Sequence, residues 1–405
     1  MQKRLLALEV ENFRSLRRIH VPLGPLTVLV GPNGAGKTNV LEVFTFLADV
    51  IGTDLLPALD ARGGFGEVVF RGGSKAPASV RIRLKACWTS HSKLTAPDEY
   101  EITITNRTSS ATGVQTLSRR EEFAFKRVQG RGRRIHISGV RAEVQDVDAA
   151  QEVVSDTAIG IQKLSSGLST LPRLSDDSGG TEVAAFAERL ASFRVFDIDV
   201  SAARRPSRIT PSRRRGEGLA DDASNLAGFL LSLSRRDPGT WERLVEDAIA
   251  VLPQLEGIDF EFPSGAAREV VVVLRERGLR RPTELADASY GTIRLLSLLA
   301  LLYDPNPPAL TCIEEIDHGL HPQALELLVQ RLREASERTQ LLIATHSPAL
   351  VDRLEPHEFI ICERTDDGAS AIPALTEGDV RRIQQASQGR PLGELWFSGA
   401  LGGDL

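Results

Sequence analysis

Eight consecutive residues, Gly31-Pro32-Asn33-Gly34-Ala35-Gly36-Lys37-Thr38, have the types and spacing G-x-x-x-x-G-K-[ST] that cradle a polyphosphate. The glycines let the backbone curl until successive N–H groups face the phosphate oxygens, and a helix beginning at the loop adds the positive end of its dipole. Lys37 is placed to neutralise the β- and γ-phosphates, the Thr38 hydroxyl to bind Mg²⁺, and Asn39 to line the same site. The chemistry these residues imply is the binding of ATP.

Three further segments carry groups of the kind that act on a bound triphosphate. Leu310-Thr311-Cys312-Ile313-Glu314-Glu315 is an apolar run ending in two adjacent carboxylates. In that arrangement Glu314 can order the water of a bound Mg²⁺ and Glu315 can polarise an attacking water; an acidic pair after a strand is also the composition of a solvated turn. Ala288-Ser289-Tyr290-Gly291-Thr292 opens a strongly apolar helix. There Ser289 and the N–H groups around Gly291 can bind phosphate oxygens, or Ser289 can serve as a plain N-cap. Leu341-Leu342-Ile343-Ala344-Thr345-His346-Ser347-Pro348 sets His346 at the end of a buried strand, where a γ-phosphate sensor belongs and where a satisfied histidine would also sit. His318, His321 and His346 near the two glutamates can alternatively be read as a zinc site, since H-x-x-H with nearby carboxylates can hold Zn²⁺.

These residues need elements to hold them. Alternation over 5–10 and a continuous apolar run over 26–30 predict strands ahead of the loop, and Val40, Leu41, Val43, Phe44 and Leu47 follow helical spacing until Gly52. Segments 80–88, 100–106, 122–128 and 134–138 alternate or are β-rich between turn-forming stretches, which predicts an antiparallel subdomain. Between about 146 and 215 helical stretches are broken by the Ser/Gly/Asp-rich run 175–181 and by an arginine-rich segment. Helices are then expected over 225–233, 240–252, 292–303 and 323–335, and strands over 269–274, 310–313, 341–344 and 359–362. The closing βαβ rhythm implies a mainly parallel sheet. The expected fold class is α/β: a P-loop NTPase with a mixed or parallel core sheet, an antiparallel β-subdomain and a helical insertion. Its parts are an N-terminal lobe over 1–145, a mainly helical insertion with a basic loop over 146–235, and a C-terminal lobe over 236–405.

Composition bounds the partners. The net charge of −5 leaves any nucleic-acid affinity to local patches. One basic run spans 126–134. The other holds Arg204, Arg205, Arg208, Arg213, Arg214 and Arg215 with no acid over 204–215, and either contacts a DNA phosphate backbone or forms a solvated loop. Cys87, Cys312 and Cys362 are far apart in sequence, which argues against a disulfide framework or structural zinc and fits a reducing cytoplasm. Met1-Gln2-Lys3-Arg4 leads straight into an alternating strand with no signal-peptide core, and the most apolar stretch, 295–303, is far short of the roughly 20 residues that cross a bilayer.

In their order and spacing, the loop, the Ser289 segment, the carboxylate pair and His346 resemble the ATP-binding-cassette ATPases of the chromosome-maintenance and DNA-repair branch: SMC heads, RecF-like proteins and OLD-type phage-defence ATPases. The similarity takes in Glu9-Val10-Glu11-Asn12-Phe13-Arg14-Ser15, the loop through Leu41, and most of 285–348. Arg194-Val195-Phe196-Asp197-Ile198-Asp199 and Asp221-Asp222-Ala223-Ser224-Asn225-Leu226 look like segments of bacterial AAA-type members. The resemblance implies an ABC-type ATPase head. In it 31–38 is Walker A, with Lys37 catalytic, and Ser289 and Gly291 belong to the signature motif. Glu314 and Glu315 belong to Walker B, Glu315 being the catalytic base; 317–321 is the D-loop and His346 the switch histidine. It further implies a homodimer that sandwiches two ATP molecules, each signature motif completing the partner's site.

Some positions depart from that pattern. Thr292 stands where many cassettes have glutamine, Walker B begins with Glu314 rather than aspartate, and Phe70-Arg71-Gly72-Gly73, in the region of the Q-loop, has no glutamine. The insertion is short for a long coiled coil, and the residues after His346 leave little chain for a TOPRIM nuclease, so a nuclease would be a partner. Besides a DNA-repair clamp acting alone, two functions stay open. One is an ATPase whose ATP-dependent dimerisation drives or gates DNA repair or anti-phage defence with an effector partner. The other is a nucleotide-sensing scaffold of negligible turnover that regulates a separate nuclease or toxin.

Overall fold

The computed structural model describes residues 3–108, 115–128, 130–148, 152–174, 180–209, 218–263 and 268–401. The chain divides into two compact units, one formed by Met1–Phe193, Pro356–Arg390 and Leu395–Leu405, the other by Arg194–Glu355 and Pro391–Glu394.

The first unit carries an eight-stranded antiparallel sheet in the order Leu16–Pro22, Leu5–Phe13, Ser79–Ala86, Asp98–Thr108, Gln115–Phe125, Gly132–Ser138, Arg141–Val147, Val153–Gly160. Strand Ser79–Ala86 shows the cause: its residues alternate half-exposed and buried along its whole length, Val80, Ile82, Leu84 and Ala86 facing inward. Against the buried face lies helix Gly180–Ala191, whose Phe186 meets Trp88 with ring centroids 4.6 Å apart. Leu26–Val30 pairs parallel with Phe359–Ile361, with Val28 opposite Phe359. Leu26–Val30 is buried at every position, which explains its unbroken apolar run. It leads into helix Lys37–Gly52, where Val40, Leu41, Val43, Phe44, Leu47 and Val50 are buried at helical spacing.

Strand Val153–Gly160 corrects the sequence reading, which placed these residues in a mainly helical span. It pairs antiparallel with Arg141–Val147, and nearly all its side chains are exposed. No buried alternation marks such a strand in sequence; ladder hydrogen bonds to one neighbour hold it. Helices do follow within the span, among them Gly180–Ala191, Val200–Ala203 and Leu226–Arg236. Leu16–Pro22 is a second strand that the sequence reading passed over, although its Leu16, Ile19 and Val21 are buried.

The second unit holds three parallel strands, Arg194–Phe196, Leu310–Glu314 and Gln340–Thr345, with Cys312 opposite both Val195 and Leu342. Helix Pro322–Ala335 connects the last two as a crossover and buries Leu325, Leu328, Val329 and Leu332. Helix Tyr290–Leu302 is buried from Thr292 onward, so its sequence is apolar on every side apart from Thr292, Arg294 and Ser297. A small antiparallel sheet orders Ser207–Arg208, Glu269–Glu276 and Leu255–Glu261, with Thr283–Glu284 added to Glu269–Glu276.

Candidate nucleotide site

The phosphate loop of the first unit is built by close backbone packing. A Cβ on Gly31 would lie 2.2 Å from the Cys362 carbonyl oxygen, and one on Gly36 would lie 2.1 Å from Ser370 Oγ and 2.8 Å from Ser15 Oγ. Gly34 and Gly36 have φ of 82° and 100°, a region that L side chains rarely enter. The Lys37 ammonium is folded onto the loop, donating to the carbonyls of Gly31 at 2.7 Å and Pro32 at 3.0 Å. Helix Lys37–Gly52 begins at Gly36 with no side-chain cap and no acidic residue in its first turn, so no side chain opposes the positive end of its dipole. Ala35 is buried, while Asn33, Gly34 and Thr38 are exposed and Pro32 and Asn39 half-buried. These features fit a polyphosphate.

Several residues that hold the loop carry no motif. Arg364 Nη1 donates to the Gly34 carbonyl at 3.0 Å, Asn39 Nδ2 donates to Ser15 Oγ at 2.7 Å, and Ser15 and Ser370 share a 2.7 Å hydroxyl contact. Arg14, Ser15, Asn39, Phe70, Arg71 and Arg364 are among the residues lining a cleft of about 520 Å³. The Phe70-Arg71-Gly72 segment thus reaches the loop's side of the unit without a glutamine. Cys362 packs behind Gly31; burial pushes its thiol up to about 12 although Lys37 opposes the shift, so it serves there as a small buried group.

In the second unit, strand Leu310–Glu314 is buried through Ile313 and ends at a half-buried Glu314 and an exposed Glu315. The Glu315 N–H still donates to Ala344 O at 3.0 Å, but Glu315 has φ of 46°, which turns the chain out of the strand. Its carbonyl accepts the His318 N–H at 2.9 Å, and its Oε2 lies 3.3 Å from His318 Nδ1. Arg294 reaches the same turn, donating to the Glu315 carbonyl at 2.7 Å and the Glu314 carbonyl at 3.2 Å. Thr345, fully buried, donates to Asp317 Oδ1 at 2.5 Å and accepts the Ser347 N–H at 3.0 Å. His346 follows directly and is exposed. Ser289 caps helix Tyr290–Leu302 by accepting the Thr292 N–H at 3.2 Å, and its hydroxyl lies 2.8 Å from Thr292 Oγ1. Gly291 sits against the 317–321 turn: a Cβ there would be 2.8 Å from Gly319 O, and the Tyr290 ring covers Gly319.

The second unit therefore gathers Ser289, Gly291, Glu314, Glu315 and His346 on neighbouring strand ends and one helix start, while residues 31–39 are gathered in the first. Among the described residues no group of three His, Cys, Asp or Glu side chains could hold a metal ion, so the zinc reading of His318, His321 and His346 is not supported. Of the arginine run, Arg205 and Arg208 are exposed and Arg204 half-buried, while Arg213, Arg214 and Arg215 lie outside the described residues. No helix among the described residues is long and apolar enough to cross a membrane. Arg294 was missed in sequence, although a lone charge in the most apolar helix was a usable signal. Arg364 and Ser370 left none.

A family model described as an AAA domain, putative AbiEii toxin, Type IV TA system matches residues 97–352, more than half of the chain, and one described as an AAA ATPase domain matches 4–75. The OLD nuclease of Thermus scotoductus is 52% identical over 52 residues, which are 13% of this chain and 9% of that protein. The DNA replication and repair protein RecF of Myxococcus xanthus is 42% identical over 83 residues, 20% of each chain. These matches thus span a fifth or less of the curated relatives' length. In fold, the chain is similar to an SMC head solved in complex with the C-terminal winged-helix domain of ScpA, with a TM-score of 0.51 at 13% identity, covering 92% of this chain and 98% of that one.

Proposed function

Since the chain belongs to the family described as an AAA domain, putative AbiEii toxin, Type IV TA system, within the SMC/RecF/OLD-like branch of ABC ATPases, we propose that it binds ATP on residues 31–38 and hydrolyses it with Glu315 as general base. The observation that carries this reading is the loop itself: Gly31 and Gly36 pressed against backbone and hydroxyls, a lysine folded inward, and a helix start that no side chain caps. Lys37 leaves its two loop carbonyls for the β- and γ-phosphates, and the helix N–H groups complete the cradle. Thr38 and Glu314 would hold Mg²⁺, which when bound neutralises charge on the transferred phosphoryl group. Glu315 takes the proton of the attacking water, and His346 donates to the γ-phosphate. Ser289 and the N–H groups near Gly291 serve the loop of a second copy, making a homodimer with ATP between its heads.

The process belongs to DNA repair or anti-phage defence in the cytoplasm, with an effector protein as partner and Arg204, Arg205 and Arg208 as candidate DNA contacts. Supporting this are the similarities to an OLD nuclease and to the DNA replication and repair protein RecF, and the SMC head's complex with ScpA. The scaffold reading is favoured by Thr292 in the signature segment, by the lack of a glutamine in 70–73, and by the contact between the exposed Glu315 carboxylate and His318.

Steady-state turnover separates the two readings. Lys37→Ala should lose ATP binding, and Glu315→Gln should bind ATP while turnover falls by about 10²- to 10⁴-fold. Wild type no faster than both variants would leave only the scaffold. The same Glu315→Gln protein with ATP, sedimented with and without duplex DNA, should run as a dimer and carry the duplex at low salt. A monomer in ATP would remove the sandwich.

A further inference from the structure

Helix Tyr290–Leu302 contains one charged residue, Arg294, and that residue is 2% exposed. A guanidinium taken out of water needs hydrogen bonds; here both Nη1 and Nη2 have them, while the buried Nε has none. Among the described residues its hydrogen bonds all go to backbone carbonyls: Nη1 to Ile198 at 3.0 Å, and Nη2 to Glu315 at 2.7 Å and Glu314 at 3.2 Å. A buried cation spent this way fixes the course of the main chain. Two successive carbonyls reach one nitrogen because Glu315, at φ 46°, bends the chain as the strand ends. The same bend sends the Glu315 side chain to the surface, where it is exposed.

We propose that Arg294 is a positioning residue for Glu315, holding the peptide on which the carboxylate is carried. The side chain enters from the helix that Ser289 caps and also grips Ile198, just beyond strand Arg194–Phe196. Three segments distant in sequence therefore meet at one guanidinium, and the orientation of the carboxylate follows theirs. Lysine cannot replace it: a single ammonium on a flexible stem lacks the planar fork that spans Ile198 on one side and the turn on the other. The inference rests on Glu315 being the general base.

The test uses the full chain with Arg294→Met, which keeps an unbranched apolar stem, and Arg294→Lys. Nucleotide affinity, turnover and thermal unfolding are measured for each, alone and combined with Glu315→Gln. A base displaced by an ångström loses much of its effect, so Arg294→Met should lower kcat by about 10- to 100-fold. The nucleotide Kd, which the proposed function assigns mainly to residues 31–38, should change by less than about threefold, and adding Arg294→Met to Glu315→Gln should lower the residual rate no further. If Arg294→Met does not fold, Arg294→Lys carries the test, with kcat reduced and KM retained. Wild-type kcat in either folded variant, or losses that multiply in the double variant, would overturn the proposal. Turnover undiminished in Glu315→Gln would instead overturn the assignment of the base, and this inference with it.

Discussion

The phosphate loop and the carboxylate turn each follow a buried parallel strand, and they are built by opposite means. At the loop, backbone lies against backbone and hydroxyl, with Gly31 on the Cys362 carbonyl and Gly36 against Ser15 and Ser370. At the turn, side chains hold the backbone: Arg294 grips two carbonyls, and Thr345 ties Asp317 to the Ser347 N–H. Although Arg364 and Lys37 also grip its carbonyls, the loop depends on side chains being absent at Gly31 and Gly36, so those residue types are forced. The turn keeps a glutamate at φ 46°, a conformation that costs on the order of 1 to 2 kcal/mol for an L residue, and distant side chains offset it. A site made by omission is rigid through sterics, whereas one made by grips is rigid only while each grip holds.

The largest effect should come from adding one carbon to the loop. Gly36→Ala combines a φ of 100° with a Cβ 2.1 Å from Ser370 Oγ, and breaks the 2.7 Å contact between Ser15 and Ser370. Left-handed strain, overpacking and a lost hydrogen bond together amount to about 3 kcal/mol. Nucleotide binding should be lost with it. Gly52→Ala, at the far end of the same helix with nothing within 4 Å of its Cβ, is the control. It should be neutral or stabilise by about 0.5 to 1 kcal/mol. Calorimetric unfolding of both reads the contrast, and equal destabilisation would erase the distinction drawn for the loop.

The same contrast explains what was legible in the sequence. Gly31, Gly34, Gly36 and Lys37 announce themselves because local backbone geometry dictates each type at a set spacing. The strands Leu310–Glu314 and Gln340–Thr345 were equally plain, since burial on both faces requires an unbroken apolar run. Val153–Gly160 was not, because an exposed strand is held by ladder bonds that any residue can make. Arg364 and Ser370 lie more than 300 residues from the loop they support, and only folding brings them there. Arg294 stands between these cases: its charge was visible in an apolar helix, but its partners are carbonyls, which carry no sequence.

A smaller effect tests whether the turn depends on its grips. Thr345→Val keeps shape and burial but leaves Asp317 without a donor and the Ser347 N–H without an acceptor. Losing partners at a buried site costs about 2 kcal/mol. Neither Asp317 nor Ser347 is assigned a phosphate contact, so ATP affinity should hold while turnover falls, the reverse of Gly36→Ala. Equal losses of affinity and turnover in Thr345→Val would mean that the turn does not act as a separate element.

The smallest effect on stability is the most informative about assembly. Ser289→Ala removes an N-cap and should cost about 1 kcal/mol, read as a small drop in Tm. If Ser289 also serves the loop of a second copy, the same change should lower turnover far beyond what that loss explains. Mixing then decides between the two roles. A dimer of Lys37→Ala with Ser289→Ala has one composite site with both its loop and its serine intact, so two inactive proteins should recover part of the wild-type rate on mixing. A mixture no more active than its components would confine Ser289 to capping its own helix.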